Sequence, residues 1–240
     1  MTVCVISQPT FLPWLGWFDL ADQGEVMVLL DDVAFSKQSW QQRNRIRTPK
    51  GLEFLSLPVK SAGRLGQRIM DCELAETGFV GKMMKTLQAN YAKAPHFAAA
   101  IAGLEAVLQA GAASGRLVEL NCALIHWMAT RLEVATPMLR ASELGVAGQR
   151  GEHVAALCAH FGAQRYLSPA GAEDYLREDR AAFDSRGIAV LLQVYEHPSY
   201  AQRYAPFEPY ASALDLIFNE GPAAARIMRS GRRPARPLAD

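Results

Sequence analysis

The sequence predicts an α/β fold: a mainly parallel sheet of about five strands flanked by helices, with a helical insert and a short edge β segment. Three observations lead to this class. Short uninterrupted apolar runs, Val3 to Ile6 and Val26 to Leu30, have the pattern of strands covered on both faces. Stretches with apolar residues at three- and four-residue spacing lie between such runs, so strand and helix alternate. Polar or breaker residues follow the runs, Ser7-Gln8-Pro9 after the first and Asp31-Asp32 after the second, as at strand ends.

In chain order, the first strand leads to a helix from about Pro13 to Gln23, where Phe11, Trp14, Leu15, Phe18 and Leu20 recur at roughly helical spacing. Pro13 suits a helix start, because the N–H it lacks would be unpaired there in any case. A helix between two buried strands implies a right-handed crossover onto a parallel neighbour. Glu53 to Val59 (EFLSLPV) is extended, and Pro58 assigns it to an edge. Residues 78–134 are helical throughout, as Phe79 to Tyr91, His96 to Gln109 and Gly115 to Leu132. Such an insert serves either as a cap over the sheet's rim or as a layer covering one sheet face. Alternation then resumes with strands at Thr136 to Ala141, Gln164 to Ser168 and Ile188 to Tyr195, and helices at Gly151 to Gly162 and Gly171 to Glu178. Gly162 closes its helix, and Gly187 turns into the last of these strands.

With 240 residues, half of them hydrophobic, the chain suits one α/β domain over residues 1–228 carrying the insert at 78–134. No basic segment with a following apolar stretch opens the sequence, and no run of eighteen apolar residues occurs, so a cytoplasmic protein without membrane association is expected. Cys4, Cys72, Cys122 and Cys158 are widely spaced, which predicts reduced, buried thiols. The last fifteen residues hold five arginines against Asp240 alone, and residues 229–240 are expected to be a flexible Arg/Pro-rich tail. Basic residues from Lys37 to Arg68, Arg43 and Arg45 among them, are interleaved with aromatics and suit either a cradle for a phosphate or carboxylated ligand or a solvated loop with scattered charges. The remainder is mildly acidic and no binding signature accompanies them, which disfavours nucleic acid as a partner.

In open parallel sheets, ligands bind outside the carboxyl ends of the strands, so Ser7, Gln8, the Pro13–Trp14 turn and Asp31–Asp32 should share one rim. Gln8, Asp32, Ser36, Lys37, Arg43 and Asn44 are its polar candidates. The turn from Ser168 to Gly171 follows a strand and opens a helix, so its backbone N–H groups suit a phosphate. His197 follows the last predicted strand and is the candidate acid or base, since histidine titrates near neutral pH. Asp215 and Asn219 lie four apart on a helix and share a face, placed either to bind substrate or to cap a neighbouring element. His153 and His160 share a helical face, but Cys158 lies well round from it, and no metal site is expected there. Asp31 and Asp32 are hard oxygen ligands suited to magnesium bridging nucleotide phosphates, with one of the two facing the pocket.

The motifs Q-P-x-x-x-P-W-x-G (Gln8 to Gly16), D-D-V-x-F-S-K (Asp31 to Lys37) and W-x-x-R-N (Trp40 to Asn44) resemble those of the WbqC-like protein family. The resemblance continues in YLSPAGAEDYL, YEHPSY and SALDLIFNEG, and so spans almost the whole chain. It implies a place in surface polysaccharide, O-antigen or amino-sugar assembly, with a glycine- or acyl-transferring role. The order of parts is also similar to the nucleotidylyl-transferase and pantothenate-synthetase type fold, whose H-x-G-H turn and late Ser loop hold ATP. Here that turn reads Pro13-Trp14-Leu15-Gly16-Trp17, without either histidine.

Two function classes follow. The first is an enzyme that transfers or ligates an acyl or aminoacyl group, glycyl among them, to an amine or amino sugar, with ATP and magnesium as candidate cofactors. In it His197 and Asp32 are catalytic, and Gln8, Pro13, Trp14, Ser36, Lys37, Arg43, Asn44, Ser168, Gly171, Asp215 and Asn219 bind substrate or nucleotide. The second is a non-catalytic protein that binds a nucleotide sugar or carbohydrate for a glycan assembly pathway.

Overall fold

A computed structural model describes residues 2–239. Its main sheet is built from β1 (Val3–Ser7), β2 (Val26–Leu29), β5 (Met138–Arg140), β6 (Arg165–Ser168), β7 (Ala189–Tyr195) and β8 (Arg232–Pro237), in the order β5-β2-β1-β6-β7-β8. The first five run parallel, and β8 is antiparallel to β7. The Val3 to Ile6 run thus lies at the centre of the sheet, as its continuous apolar pattern predicts.

Alternate residues of the central strands serve two separate cores. Val5, Met27 and Leu29 face a large cluster formed with α1 (Leu15–Asp22), α2 (Phe79–Tyr91), α3 (Phe97–Ala113), α4 (Leu117–Arg131), α9 (Ala213–Glu220) and α10 (Ala224–Ser230). Cys4, Ile6, Val26 and Val28 face a smaller one formed with α5 (Ala141–Leu144), α6 (Arg150–His160), α7 (Glu173–Glu178) and α8 (Arg180–Asp184). The helices of the insert therefore form the outer layer over one sheet face. Asn121 of α4, buried, reaches toward the rim, and its amide donates to the carbonyls of Pro9 (2.9 Å) and Gln41 (2.8 Å).

The expected edge segment is β4 (Gly51–Ser56), which pairs antiparallel with β3 (Arg43–Thr48) in a two-stranded ribbon of its own. Residues 229–239 depart from the flexible tail expected over 229–240, of which Asp240 lies outside the described residues. Arg229 ends α10, and Arg232–Pro237 is the edge strand β8, a position that tolerates its prolines. Arg232 donates to Asp19 (2.8 Å) and Asp22 (2.5 Å) of α1, and Arg229 makes a paired contact with Asp22 at 2.9 Å. Arg233 pairs with Glu196, and Arg236 with Glu173. A composition that reads as solvated is ordered because remote carboxylates neutralise its charges.

Candidate ligand site at the carboxyl rim of the sheet

The chain moves outward from β1 to β2 to β5, then returns across β1 to β6, so the topological switch point lies between β1 and β6. At the end of β1, Ser7 Oγ accepts a 3.0 Å bond from Trp17 Nε1, which fixes the indole over the strand end. The turn that follows carries Leu12 at φ +44°, a left-handed conformation unusual for leucine. Asn44 holds this turn: its amide donates to the carbonyls of Phe11 (3.1 Å) and Leu12 (2.9 Å), and its Oδ1 accepts from the Arg45 N–H. Gln8 is tied to Gln41 at 2.8 Å, and Gln41 accepts from the Ser36 N–H.

Between this turn, β3 and the loop before α9 lies a cavity of about 290 Å³. Trp14, Trp17, Trp40 and Tyr210 form its aromatic walls, with Thr10, Asn44 and Arg45 as polar lining. The P-W-x-G motif has a packing reason here. The Trp14 ring folds back on Gly16, where a Cβ would stand 2.3 Å from it. Pro13 is buried, and its carbonyl accepts from the N–H of Ala213 at the start of α9.

His197 stands against the outer side of Trp14, the two rings nearly parallel with centroids 6.2 Å apart, and Tyr200, Phe207 and Tyr210 complete an aromatic surround. Nδ1 lies 2.9 Å from the Pro198 carbonyl, which only accepts, so Nδ1 carries the proton and Nε2 the lone pair. Nε2 is buried without a partner. Burial lowers the pKa of this histidine, and the bond to Pro198 opposes the shift in part. The neutral imidazole stacks on Trp14 and, like Arg43, is not among the residues lining the cavity.

Asp31 and Asp32 diverge, as neighbours at a strand end should. Asp31 is fully buried and spent: Arg140 Nε (2.8 Å), the Ser142 N–H (2.9 Å) and Ser142 Oγ (2.7 Å) all donate to it. Asp32 instead accepts a 2.9 Å bond from Nε2 of His153, near the start of α6. Oδ1 of Asp32 and Nδ1 of His153 are buried without partners. The strands leading to Asp32 and His197 are three places apart in the sheet, about 14 Å at the usual spacing. The two residues expected to be catalytic therefore occupy separate stations along one rim.

The other sequence candidates divide between exposed and structural positions. Ser36 and Lys37 are exposed. Arg43 stacks on Phe54 (4.4 Å to the ring) and is not among the residues lining the cavity. Ser168 is buried with its hydroxyl toward the Pro169 carbonyl, whereas Gly171 is exposed. The helix following them, α7, carries Glu173 and Asp174 in its first turn, which fill the role an anion would take there. Asp215 is a buried hub: Tyr91 (2.9 Å), Tyr200 (2.8 Å) and Gln202 (2.9 Å) donate to its carboxylate, and Asn219 donates to its backbone carbonyl. Burial raises the Asp215 pKa against these donors. Asp215 thus holds the 196–212 loop in place through Tyr200 and Gln202, Asn219 bonds within its own helix, and neither lines the cavity.

Thr10, Trp40 and Tyr210, together with His153, were not singled out as binding or catalytic by sequence, and Trp17 and Arg45 only in passing, as a stacking aromatic and as one member of the basic stretch from Lys37 to Arg68. Trp40 carried a signal in W-x-x-R-N, and Trp17 in its helical aromatic spacing. Nothing in the sequence set Arg45 apart from the other basic residues of its stretch, and Tyr210 lacked a signal, because the two meet only in the folded chain. Among the described residues no group of three or more His, Cys, Asp or Glu stands together as a metal cluster, and no helix is long and apolar enough to cross a membrane.

The architecture is that of an α/β protein with a ligand-sized, aromatic-walled cavity at the carboxyl rim of a parallel sheet. The chain belongs to the WbqC-like protein family, whose model matches residues 8–227. It is 32% identical over 234 residues to the Uncharacterized protein Rv1507c of Mycobacterium tuberculosis (strain ATCC 25618 / H37Rv), covering 97% of this chain and 100% of that one. No solved structure matches.

Proposed function

We propose that the protein is an enzyme that transfers an acyl or aminoacyl group to the amine of a small acceptor, an amino sugar or nucleotide sugar in glycan assembly. The observation that carries this reading is His197, a neutral imidazole with a bare, desolvated Nε2 set against the wall of an aromatic cavity. The acceptor ring stacks among Trp14, Trp40 and Tyr210. Its nitrogen attacks the carbonyl carbon of an activated acyl donor, the C–N bond forms, and the bond to the donor's leaving group breaks with its electron pair. The proton released from nitrogen passes to Nε2. Transfer requires a shift of the Tyr210 side, since Nε2 is covered in this conformation.

ATP with magnesium enters this proposal as the means of activating the donor. Of the two rim carboxylates only Asp32 has an oxygen without a protein donor, and Asp32 would hold the magnesium once that covered oxygen is uncovered. A non-catalytic nucleotide-sugar or carbohydrate binder is the second reading, and the covered Nε2 is the observation that favours it.

Incubation with a UDP-amino sugar, ATP–magnesium and a pool of amino acids, followed by mass spectrometry, tests the proposal. The expected product gains one aminoacyl residue with the wild type and none with His197→Phe. Binding of the sugar without product in either protein would establish the second reading.

A further inference from the structure

We infer that Arg45 makes the cavity a subsite for a sugar ring bearing an anion, a phosphate or a carboxylate. The inference deepens the proposed function, since it rests on the cavity being the acceptor's pocket. Arg45 Nε is buried without a hydrogen-bond partner. Its Nη2 makes one long bond, 3.3 Å to the Tyr210 carbonyl, and its guanidinium lies over Trp40 at 5.4 Å. Among the described residues no carboxylate stands within ion-pair reach of it. Arg47, Arg140 and Arg232 are paired with Glu208, with Asp31 and Glu119, and with Asp19 and Asp22, whereas half-buried Arg43 and Arg131 lie, like Arg45, over aromatic rings. Neither of those two lines the cavity.

An arginine on the wall of an aromatic cavity whose Nε has no partner keeps a donor for a group that arrives from outside, once a small shift of the flanking side chains uncovers it. The Nε and Nη2 edge of a guanidinium matches the paired oxygens of a carboxylate or phosphate. Tyr210 is held in the left-handed region at φ +68°, where its carbonyl meets Nη2 and fixes that edge. Trp40 and Tyr210, 48% and 50% exposed, flank the opening. A volume of about 290 Å³ is at the small end for ligand pockets and suits a single ring with one charged substituent.

The cavity carries its own reporter, since three of the four tryptophans line it and the fourth, Trp127, lies on α4. Tryptophan fluorescence titrations with glucose 1-phosphate, glucuronate and glucose at matched ionic strength test the inference. Glucose 1-phosphate, glucuronate or both should bind, and glucose about tenfold more weakly or not at all. Whichever anion binds better identifies the source of the charge. Arg45→Gln should weaken the anionic probe about tenfold or more and leave glucose unchanged, whereas Arg43→Gln should change neither. If Arg45→Gln fails to fold, the salt dependence of the wild type serves: high salt should weaken the anionic probe and spare glucose. Failure of both anions to bind, equal losses for anion and glucose, insensitivity to salt, or a loss that follows Arg43 would overturn the inference. Anion binding without any aminoacyl transfer would sink the transferase reading and leave this one standing.

Discussion

Arg232, in the last strand of the sheet, donates a 2.8 Å bond to the fully buried carboxylate of Asp19, in the first helix. The pair closes the fold, with Gln193 adding a 2.8 Å bond to the same carboxylate. Removing the arginine leaves a buried charge with amide donors alone. Arg232→Ala should therefore cost about 2–3 kcal/mol, below the full price of a buried pair because the arginine keeps a third of its side chain in water. Asp19→Asn in the Arg232→Ala background should restore part of it. Urea denaturation of the three proteins checks both outcomes, and truncation after Arg229 should destabilise still further.

His197 gives a dependence on pH whose sign is fixed. Its folded pKa lies below the ordinary 6.5, so between the two values the unfolded chain binds the proton more tightly. The stability contributed by neutral His197 is complete above pH 6.5 and is lost as pH falls through this window. His197→Phe keeps an aromatic ring and removes the titration. The difference in melting temperature between wild type and variant should therefore change sign-consistently below pH 6.5, the wild type falling more steeply, and be flat above it.

Asn44 and Gln8 should behave differently despite sharing the motif-bearing segment. Asn44→Ala removes two buried donors to the Phe11–Leu12 turn and should cost about 2–3 kcal/mol. Gln8→Ala breaks a single part-buried contact to Gln41 and should cost under about 1 kcal/mol. Equal melting temperatures for the two variants would contradict the clamp role of Asn44.

Asp215→Asn should release the 196–212 loop. An amide in place of the carboxylate offers one acceptor oxygen where Tyr91, Tyr200 and Gln202 share two. A loss of about 2–3 kcal/mol is expected, with faster proteolysis between residues 201 and 209 than elsewhere. Protease cleavage mapped by mass spectrometry distinguishes this from a uniform destabilisation.

The sheet and the insert were legible because their signals are local. Val3 to Ile6 and Val26 to Leu29 announce buried strands by composition, and Phe79–Tyr91 falls within the helix its spacing predicts. The last strand was not legible, since its arginines and prolines read as solvated until Asp19 and Asp22, more than two hundred residues earlier, are placed beside them. The same limit applies at the site. Trp14 and the turn after β1 could be read from P-W-x-G, yet the choice of Arg45 over Arg43 depends on which way β3 faces. Asp215 and Asn219 share a helical face as expected, and only the tyrosines that meet Asp215 reveal that the face is structural.

The cavity takes its walls from Thr10, Trp40 and Tyr210, segments that span most of the chain and touch only when folding is complete. No fragment possesses it, and every partly unfolded form lacks it. Occupancy therefore acts on the lifetime of the whole molecule: a ligand at a hundred times its Kd adds about 2.7 kcal/mol to the stability of the full fold. Where proteases remove unfolded chains, the abundance of the protein should track the supply of its ligand, so that the pocket serves as a gauge of its own demand.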